Sequence, residues 1–419
     1  MTQINHPRPR ATPVALLLVG VVAHHSRDRE KINTHARSVV VVVVVVVSRR
    51  RRRVALWWMR ISNIHTPHVR IFAWLHGQGF THAQHTAARM APESACASVK
   101  RTCALVSALA THVRIDADAI ETFVETMDDA QRAVLERGAR GFDAALHELP
   151  HGDEVRVAYV LVVDAINFCF WPDHVDVGED VGRLEYEHVA GGVRRAATAN
   201  AKALDARTLA SMEVGDLQRM LEWPRPLPNE EERVRLLREV GAGLIEHFDG
   251  SALKLVAEAR GSAARLVDLV LRYFPGFRDC AVYKGRQVYF YKRAQIFVGD
   301  VWGAFQGEGI GHFQDICSSL TMFADYRVPV VLRELGILKY SEELVNAIRA
   351  EKIIMPNSEQ EIEIRACTVE AVERIKDRLA VRDGLVVSSV VIDWMLWELG
   401  EKKRYSSHEP HHRTLTIFY

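Results

Sequence analysis

The chain has 419 residues, of which 48% are hydrophobic and 26% charged, the composition of an ordinary globular protein. Its net charge of +1 is divided unevenly, because residues 1–92 hold 14 of the 54 Lys and Arg but only two of the 53 acidic residues, which leaves about −11 on the remainder. An acidic body is a poor match for a nucleic acid backbone, whose binding depends on basic contacts, and it favours a small substrate instead.

The six cysteines are scattered along the chain, with no CxxC pair and no cysteine and histidine at a ligand spacing. This pattern argues against a zinc site and against a disulfide framework. We therefore expect reduced, partly buried thiols in an intracellular protein that holds no metal.

The first 92 residues lack the pattern of a folded domain. Residues 39–47 are nine consecutive valines and residues 49–53 are five consecutive arginines, and nine apolar residues are too few for a membrane-spanning helix. Residues 14–23 have the length of a signal-peptide core, and the basic, acid-poor composition also suits a mitochondrial presequence. We prefer a simpler interpretation, in which residues 1–92 are a disordered or spurious extension, Met90 is the true start and residues 93–419 form one domain.

Helical periodicity dominates the rest of the chain. Asn229, with Glu232 three residues later, predicts a capping box at the start of a helix that runs to about residue 250. Ser251 and Ser262 predict the starts of two shorter helices, and Thr368 predicts the start of a later one. The helix after Asn229 has one apolar face, formed by Val234, Leu237, Val240, Leu244 and Phe248.

Strand signals are few. Residues 281–283 and 287–289 flank Lys284-Gly285-Arg286 and predict a hairpin. Ile362 and Ile364 alternate with charged residues, which predicts another short strand. We therefore predict a mainly α, compact domain with one or two short β-hairpins or strands.

Residues 289–340 place charged side chains among apolar ones. Pro329 predicts the start of a helix, and Asp325 lies at the entrance of that helix between aromatic residues. A carboxylate in such a setting is costly unless it has a partner or a function, so a helix N-cap and a catalytic group both remain open. An earlier buried or half-buried helix is predicted by five apolar residues at helical spacing: Ala294, Val298, Val301, Trp302 and Phe305. The glycines at 307, 309 and 311 end this helix.

Ten sequence blocks resemble a known family. They are, in chain order, HVRID from His112, ALHEL from Ala145, VVDAINFCFW from Val162, FPGFRD from Phe274, KRAQIFVGDVW from Lys292, SSLTMFADYRVP from Ser318, LGILKYS from Leu335, EIEIRAC from Glu361, VVIDWMLWELG from Val390 and HHRTLTIFY from His411. The blocks span roughly residues 98–419 and are similar to the queuosine salvage proteins, the queuosine 5'-phosphate N-glycosylase/hydrolases. Agreement over several blocks in one order is far more specific than any single motif.

The resemblance implies a compact helical fold related to the helical DNA glycosylases. It also implies the reaction, which is hydrolysis of the N-glycosidic bond of queuosine 5'-phosphate to release queuine for salvage into tRNA modification. The implied enzyme is cytoplasmic, uses no cofactor, and binds a small-molecule substrate without direct contact to nucleic acid or a membrane.

Asp325 is the catalytic residue that the resemblance implies, and Phe323 is an implied substrate contact, since both match the family's MFADY segment. Cleavage of an N-glycosidic bond passes through an oxocarbenium-like sugar. A carboxylate beneath the anomeric carbon stabilises that charge, and it can also orient or deprotonate the attacking water. His147 matches a family histidine that is implied to touch the ligand, although a lone histidine near a helix end is more often a cap or a core group.

Asp393, Trp394 and Glu398 lie where the family has Asp, Tyr and Asp, so two of the three differ but keep their chemical type. Carboxylates suit the N–H edge of a 7-deazaguanine base and the ammonium of its side arm. At ~100° per residue, Asp393 and Glu398 are ~140° apart on a helix and can flank a pocket only obliquely. Without the resemblance, a surface helix anchored by two tryptophans is the better interpretation.

Three basic residues are candidate ligands of the 5'-phosphate: Lys292, Arg293 and Arg327. Each is explained equally well by a salt bridge to one of three aspartates: Asp300, Asp315 or Asp325.

Asp164 and Asn167 are three residues apart and are predicted to share one helix face, which leads into a cluster of aromatic residues. Core packing is the commoner fate of such a cluster, so we expect this segment to support the site from behind.

Residues 191–212 depart from the family, which usually has an aromatic segment and a longer loop there. If that loop closes over the ligand, affinity or specificity would differ in this chain. Two rival functions therefore stay open. One is a queuine- or nucleotide-binding protein that has lost activity; the other, disfavoured by the acidic body, is a DNA base glycosylase.

Overall fold

The computed structural model describes residues 93–142, 147–172, 184–403 and 409–419, and the backbone of three strands among residues 16–61. The chain divides into two units, Met1–Arg89 and Met90–Tyr419. Among the described residues, no helix is long and apolar enough to cross a membrane.

The first unit contains an antiparallel sheet of three strands in the order β1-β2-β3. The strands are β1 (Leu16–Ala23), β2 (Val40–Val47) and β3 (Val54–Ile61), and Leu16 pairs with Val47. The β-branched valines of β2 favour this extended conformation. The prediction of a disordered or spurious extension falls mostly on residues outside those described, and it stays a prediction.

The second unit is built mainly of helices, which confirms the predicted fold class. They are α1 (Ala95–Leu109), α2 (Ala117–Glu125), α3 (Asp129–Arg137), α4 (Asp153–Ala165), α5 (Tyr186–Ala199), α6 (Ala206–Ala210), α7 (Val214–Leu221), α8 (Glu230–Phe248), α9 (Ala252–Glu258), α10 (Ala263–Tyr273), α11 (Lys292–Ala304), α12 (Ile316–Ser319), α13 (Val328–Glu334), α14 (Glu342–Arg349), α15 (Glu359–Asp383) and α16 (Ser389–Lys403). The relation to the helical DNA glycosylases stays a prediction.

Two small antiparallel strand pairs complete this unit as far as it is described. β4 (Val113–Ile115) pairs with β7 (Leu338–Tyr340), and β5 (Cys280–Tyr283) pairs with β6 (Arg286–Tyr289). The second pair is the predicted hairpin. Its turn residues Lys284 and Gly285 both have positive φ, 46° and 77°, as a two-residue hairpin turn requires.

The predicted helix starts at Ser251 and Ser262 are confirmed. The Ser251 hydroxyl accepts a hydrogen bond from the Lys254 N–H at 3.1 Å, and Ser262 accepts one from the Arg265 N–H at 3.2 Å. The helix α8 follows Asn229 as predicted, and its apolar face is buried. The capping box is wrong, because Asn229 has φ 52° and its side chain makes no cap hydrogen bond.

Two predictions in α15 are wrong. Ile362 and Ile364 do not form a strand, and Thr368 does not start a helix, because all three lie inside one helix of 25 residues. This helix begins after Ser358, whose hydroxyl accepts a hydrogen bond from the Glu361 N–H at 3.3 Å.

The misleading alternation in α15 arises because its charged residues are buried as well. Glu363 is fully buried and accepts hydrogen bonds from the N–H groups of Thr111, His112 and Val113, at 2.9, 2.6 and 3.1 Å. Arg365 is also buried, in an ion pair with Asp279. A helix that is buried on several sides gives no 3.6-residue pattern to recognise.

Helices α4 and α11 pack against each other in the interior. Most residues of both are buried, including the polar residues Asp164, Lys292, Arg293 and Asp300. Because charged groups are rarely buried without a partner or a function, these two helices and their neighbours mark the place to look for a site.

Candidate active site

A cavity of about 600 Å³ lies between α11, the segment that leads into α13, and α16. It is large enough for a nucleotide-sized ligand. Its lining combines aromatic rings with carboxylates: Gly141, Phe142, His147, Asn167, Phe168, Phe170, Glu185, Tyr186, Glu187, Lys292, Ile296, Asp300, Phe323, Asp325, Tyr326, Arg327, Asp393, Trp394, Trp397, Glu398, Glu401 and Tyr419.

Asp325 lies at the entrance of α13, as predicted. Its Oδ1 accepts hydrogen bonds from the backbone N–H groups of Arg327 and Val328, both at 3.0 Å. Its Oδ2 accepts no hydrogen bond from any residue that the structure describes. The two interpretations drawn from the sequence are therefore compatible, because one oxygen caps the helix while the other is available to the cavity.

Burial raises the pKa of the Asp325 carboxyl, while the charge of Lys292 and the two N–H groups at the helix entrance lower it. Lys292 is the first residue of α11, and its ammonium donates a hydrogen bond to the Asn167 carbonyl at 3.0 Å. Burial lowers the pKa of Lys292, and the carboxylates of Asp325 and Asp164 oppose that shift. Lys292 therefore stabilises the anionic form of Asp325.

Asp393 lies on α16 and faces Asp325. Its Oδ1 accepts a hydrogen bond from the Phe323 N–H at 3.1 Å, so it also fixes the segment that carries Asp325. Burial and then the charge of Asp325 raise the pKa of Asp393 well above its usual range. One of two neighbouring carboxyls keeps its proton in such a pair.

Aromatic rings form one wall of the cavity. The Trp394 ring stacks on Trp302 with centroids 5.6 Å apart, and the Phe142 ring lies 5.3 Å from Trp394. Phe142 also stacks on His147, with 4.6 Å between the ring centroids. Faces of this kind suit a planar heterocyclic base.

Two glycines of α11 allow these rings to approach the helix. A methyl group at Gly299 would meet Cζ of Phe323 at 2.7 Å, and one at Gly303 would meet Cγ of Phe142 at 2.6 Å. Any larger residue at either position would have to displace a ring that lines the cavity.

His147 lines the cavity and is hydrogen-bonded to two tyrosines, while its contact with the ligand stays a prediction. Its Nδ1 lies 3.0 Å from the Tyr159 hydroxyl, and its Nε2 lies 3.5 Å from the Tyr186 hydroxyl. Tyr186 also lines the cavity, so His147 lines the cavity itself and helps to position the Tyr186 side chain.

All six residues predicted from the resemblance to form the site line this one cavity: His147, Phe323, Asp325, Asp393, Trp394 and Glu398. They come from three separate parts of the chain, around residues 147, 323–325 and 393–398. Asp393 and Glu398 both reach the cavity from α16, despite their angular separation on the helix.

The three candidate phosphate ligands are placed differently. Lys292 and Arg327 line the cavity, and Arg327 lies 3.9 Å from the Glu401 carboxylate. Arg293 does not line it, because its guanidinium points into the core and donates to the carbonyls of Ala165 and Gly276. We therefore remove Arg293 from the candidate site.

The alternative explanation, a salt bridge from one of these basic residues to Asp300, Asp315 or Asp325, is not formed in the described part of the chain. The Asp315 carboxylate instead accepts hydrogen bonds from the Ser262 hydroxyl at 2.9 Å and the Ala263 N–H at 2.6 Å, and so caps α10. Asp300 lines the cavity and has no ion pair among the described residues.

Asp164 and Asn167 do not share a helix face, because α4 ends at Ala165. Asn167 reaches the cavity, whereas Asp164 is fully buried behind it. The expectation that this segment supports the site thus holds for Asp164 but not for Asn167, Phe168 and Phe170, which line the cavity.

Residues 191–212, which depart from the family, form the end of α5, a 3₁₀ turn and α6, and none of them lines the cavity. Their proposed effect on affinity stays a prediction.

Sequence reasoning missed several lining residues, above all Asp300, Tyr186 and Glu401. Asp300 was considered only as an ion-pair partner. Its position on an otherwise apolar helix face, in Val298-Gly299-Asp300-Val301, was the available signal. For Tyr186 and Glu401 we find no local pattern that would have identified them.

Four glutamates add negative charge to the lining: Glu185, Glu187, Glu398 and Glu401. The site thus combines a carboxyl held at a helix entrance, further buried carboxyls and an aromatic wall. It is suited to bind a planar base that carries positive charge and to stabilise a cation formed from the attached group.

Comparisons with known proteins agree with this chemistry. The family model described as queuosine salvage protein matches residues 146–419. A Dictyostelium discoideum protein named queuosine 5'-phosphate N-glycosylase/hydrolase is 44% identical over 329 residues, which cover 77% of this chain and 98% of the relative. Proteins of the same name are 41% identical in Sphaerobacter thermophilus, covering 64% of this chain and 83% of the relative, and 38% identical in Mus musculus, covering 66% and 86%.

Proposed function

Because this chain belongs to the queuosine salvage protein family, we propose that it hydrolyses the N-glycosidic bond of queuosine 5'-phosphate and releases queuine. The other product is ribose 5-phosphate, and the released queuine is available for salvage into tRNA. The observation that carries the proposal is Asp325, fixed through one oxygen at the entrance of α13 while its other oxygen is available to the cavity.

Asp325 acts on the ribose in this proposal. As the N-glycosidic bond breaks, positive charge develops at the anomeric carbon, and the carboxylate stabilises it. The charge of Lys292 and two backbone N–H groups favour the ionised form of Asp325 and oppose the rise in its pKa that burial causes. The same carboxylate then orients the attacking water and accepts its proton.

The base occupies the aromatic part of the cavity in this proposal, against Trp394 and Phe142. Asp393 and Glu398 face the N–H groups of the base, and the glutamates of the lining suit the ammonium of its cyclopentenediol arm. The substrate's base thus matches a site whose charge is mainly negative.

Arg327 is the phosphate ligand that we favour. It lines the cavity and its guanidinium lies over the Tyr326 ring, 5.4 Å from the centroid. Lys292 is deeper and serves Asp325, so a phosphate there would compete with the catalytic carboxylate.

We further propose that the enzyme needs no cofactor, binds its small substrate without direct contact to nucleic acid or a membrane, and is located in the cytoplasm. The carboxylates of the lining would repel a phosphodiester backbone, which supports a mononucleotide substrate over DNA.

The test is incubation of the full chain with queuosine 5'-phosphate and detection of free queuine by mass spectrometry. Release of queuine with multiple turnovers is expected. If queuine raises the melting temperature but none is released, the chain is an inactive binding protein. Strong, salt-dependent DNA binding would instead favour a DNA base glycosylase.

A further inference from the structure

Asp300 is a buried carboxyl that opens onto the cavity. It lies on α11, eight residues after Lys292, and only 5% of it is exposed. It makes no hydrogen bond with any residue in the described part of the chain. An uncompensated buried carboxylate is costly, so either the group holds a proton or a ligand completes its contacts.

Four titratable groups bear on Asp300: Asp164 of α4, Lys292 of its own helix, Asp393 of α16 and Tyr186 of α5. Asp164 is fully buried, and no donor in the described part of the chain makes a hydrogen bond of normal geometry to either of its carboxyl oxygens. Asp325 also interacts with Lys292, so four buried carboxyls share one ammonium group: Asp164, Asp300, Asp325 and Asp393. They cannot all be ionised together, because each charge opposes the next.

The hydrogen bonds distinguish the carboxyls that line the cavity. Asp325 accepts two backbone N–H groups and Asp393 accepts one, and each such bond favours the anion. Asp300 accepts none. Burial, then Asp164 and Asp393, raise the pKa of Asp300 well above its usual range, and only Lys292 opposes them. Asp300 is therefore a protonated group that faces the ligand and, unlike Asp393, is not held by a backbone N–H.

We propose that Asp300 is the general acid of the reaction and protonates the base as it departs. The proposal rests on the proposed function. As the bond between the anomeric carbon and the base nitrogen breaks, its electron pair stays with the base, and the Asp300 proton moves to the base. Asp300 becomes a carboxylate, and the hydroxyl of water bonds to the anomeric carbon. The remaining proton of that water passes through Asp325 to solvent, and Asp300 takes up a proton for the next cycle.

The chemistry of the base explains why an acid is needed. A 7-deazaguanine has carbon in place of N7, so the ring cannot be activated by protonation at N7 before it departs. A neutral carboxyl in a dry cavity supplies the proton at the moment when negative charge develops on the base.

The pH dependence of turnover tests Asp300 directly. In the wild type, kcat for queuosine 5'-phosphate should fall tenfold per pH unit once Asp300 ionises. Asp300→Asn should lower kcat by about 10²- to 10³-fold and remove this alkaline limb. Asp164→Asn should keep the limb but move it to lower pH, because one charge that raises the pKa of Asp300 is gone.

A second substrate separates proton donation from a structural role. Ribosyl 5-phosphate with 4-nitrophenolate as the leaving group needs no proton, so Asp300→Asn should lose less than tenfold on it, whereas Asp325→Asn should lose activity on both substrates. An alkaline limb that persists in Asp300→Asn, or near wild-type turnover of queuosine 5'-phosphate by that variant, would overturn the assignment. If the wild type releases no queuine, the proposed function itself is wrong.

Discussion

Arg365 and Asp279 form a buried, bidentate ion pair that connects the segment before Asp325 with the start of α11. Nη1 of Arg365 lies 3.0 Å from Oδ1 of Asp279, and Nη2 lies 2.5 Å from Oδ2. Nε of Arg365 donates to the carbonyl of Ala324, the residue before Asp325, at 3.1 Å. The Asp279 carboxylate also accepts the backbone N–H of Lys292 at 3.2 Å. One ion pair thus holds both the backbone next to Asp325 and the backbone of Lys292.

Removing one partner of this pair should destabilise the protein strongly. Arg365→Met leaves the Asp279 carboxylate buried and unpaired, so the free energy of unfolding in urea should fall by roughly 3–5 kcal/mol. Asp279→Asn in the same chain should recover part of the loss. The control is Arg374→Met, which breaks an exposed pair with Glu370 and should cost under ~1 kcal/mol. Equal losses in the two single variants would contradict a special role for Arg365.

Arg327 should distinguish nucleotide from nucleoside. If its guanidinium binds the 5'-phosphate, Arg327→Gln should lower kcat/KM for queuosine 5'-phosphate by about 10- to 100-fold, while kcat/KM for queuosine changes less than about threefold. The control is Arg349→Gln, an exposed arginine paired with Glu409, which should change neither value. An equal loss on both substrates would place the phosphate elsewhere.

Gly299 tests the packing of the aromatic wall. The methyl group of Gly299→Ala would meet Cζ of Phe323 at 2.7 Å, which is closer than real contacts allow, so the ring must move into the cavity. We expect KM for queuosine 5'-phosphate to rise by about tenfold. Gly152→Ala is the matched control, because no atom lies within 4 Å of the added methyl. Unchanged KM in both variants would show that the Phe323 ring is not part of the binding surface.

Asp164 should make the protein less stable at alkaline pH. Burial raises the pKa of its carboxyl from 3.8 to about 7, and the charge of Lys292 only partly offsets this. Between these values the folded protein binds a proton that the unfolded chain has lost, so the stability present at low pH is lost as pH rises through about 7. The full effect corresponds to roughly 4 kcal/mol.

Asp164→Asn removes this titration. The variant should therefore gain stability relative to the wild type at pH 8 and change little at pH 4, as measured by urea unfolding at both values. A difference between variant and wild type that is the same at both pH values would show that the Asp164 carboxyl does not hold a proton in the folded state.

The sequence was sufficient to place Asp325 at a helix entrance but insufficient to show that Asp300 faces the cavity, although both are aspartates among apolar residues. Asp325 precedes a proline in a segment that matches a family motif, so its place at a helix entrance followed from local chemistry. Asp300 lies in mid-helix, and periodicity indicates that it is buried without indicating what it faces. Only the packing of α4 and α16 against α11 brings Asp164 and Asp393 close to it.

Burial on several sides also explains the errors in secondary structure. In α15 the charged residues Glu361, Glu363 and Arg365 are as buried as the isoleucines between them. Their partners lie far away in sequence, for example Asp279 for Arg365, so a local pattern of alternation was indistinguishable from a strand. Arg293 was misplaced for the same reason, because its carbonyl partners Ala165 and Gly276 become visible only in the fold.

The most direct test of the account is the rate at which Asp325→Asn releases queuine from queuosine 5'-phosphate in a single turnover. The asparagine keeps an oxygen to accept the N–H groups of Arg327 and Val328, so thermal unfolding should show a folded protein, but the charge that stabilises the ribosyl cation is lost. We predict a rate at least about 10³-fold below the wild type. A folded Asp325→Asn protein that releases queuine within tenfold of the wild-type rate would contradict the account.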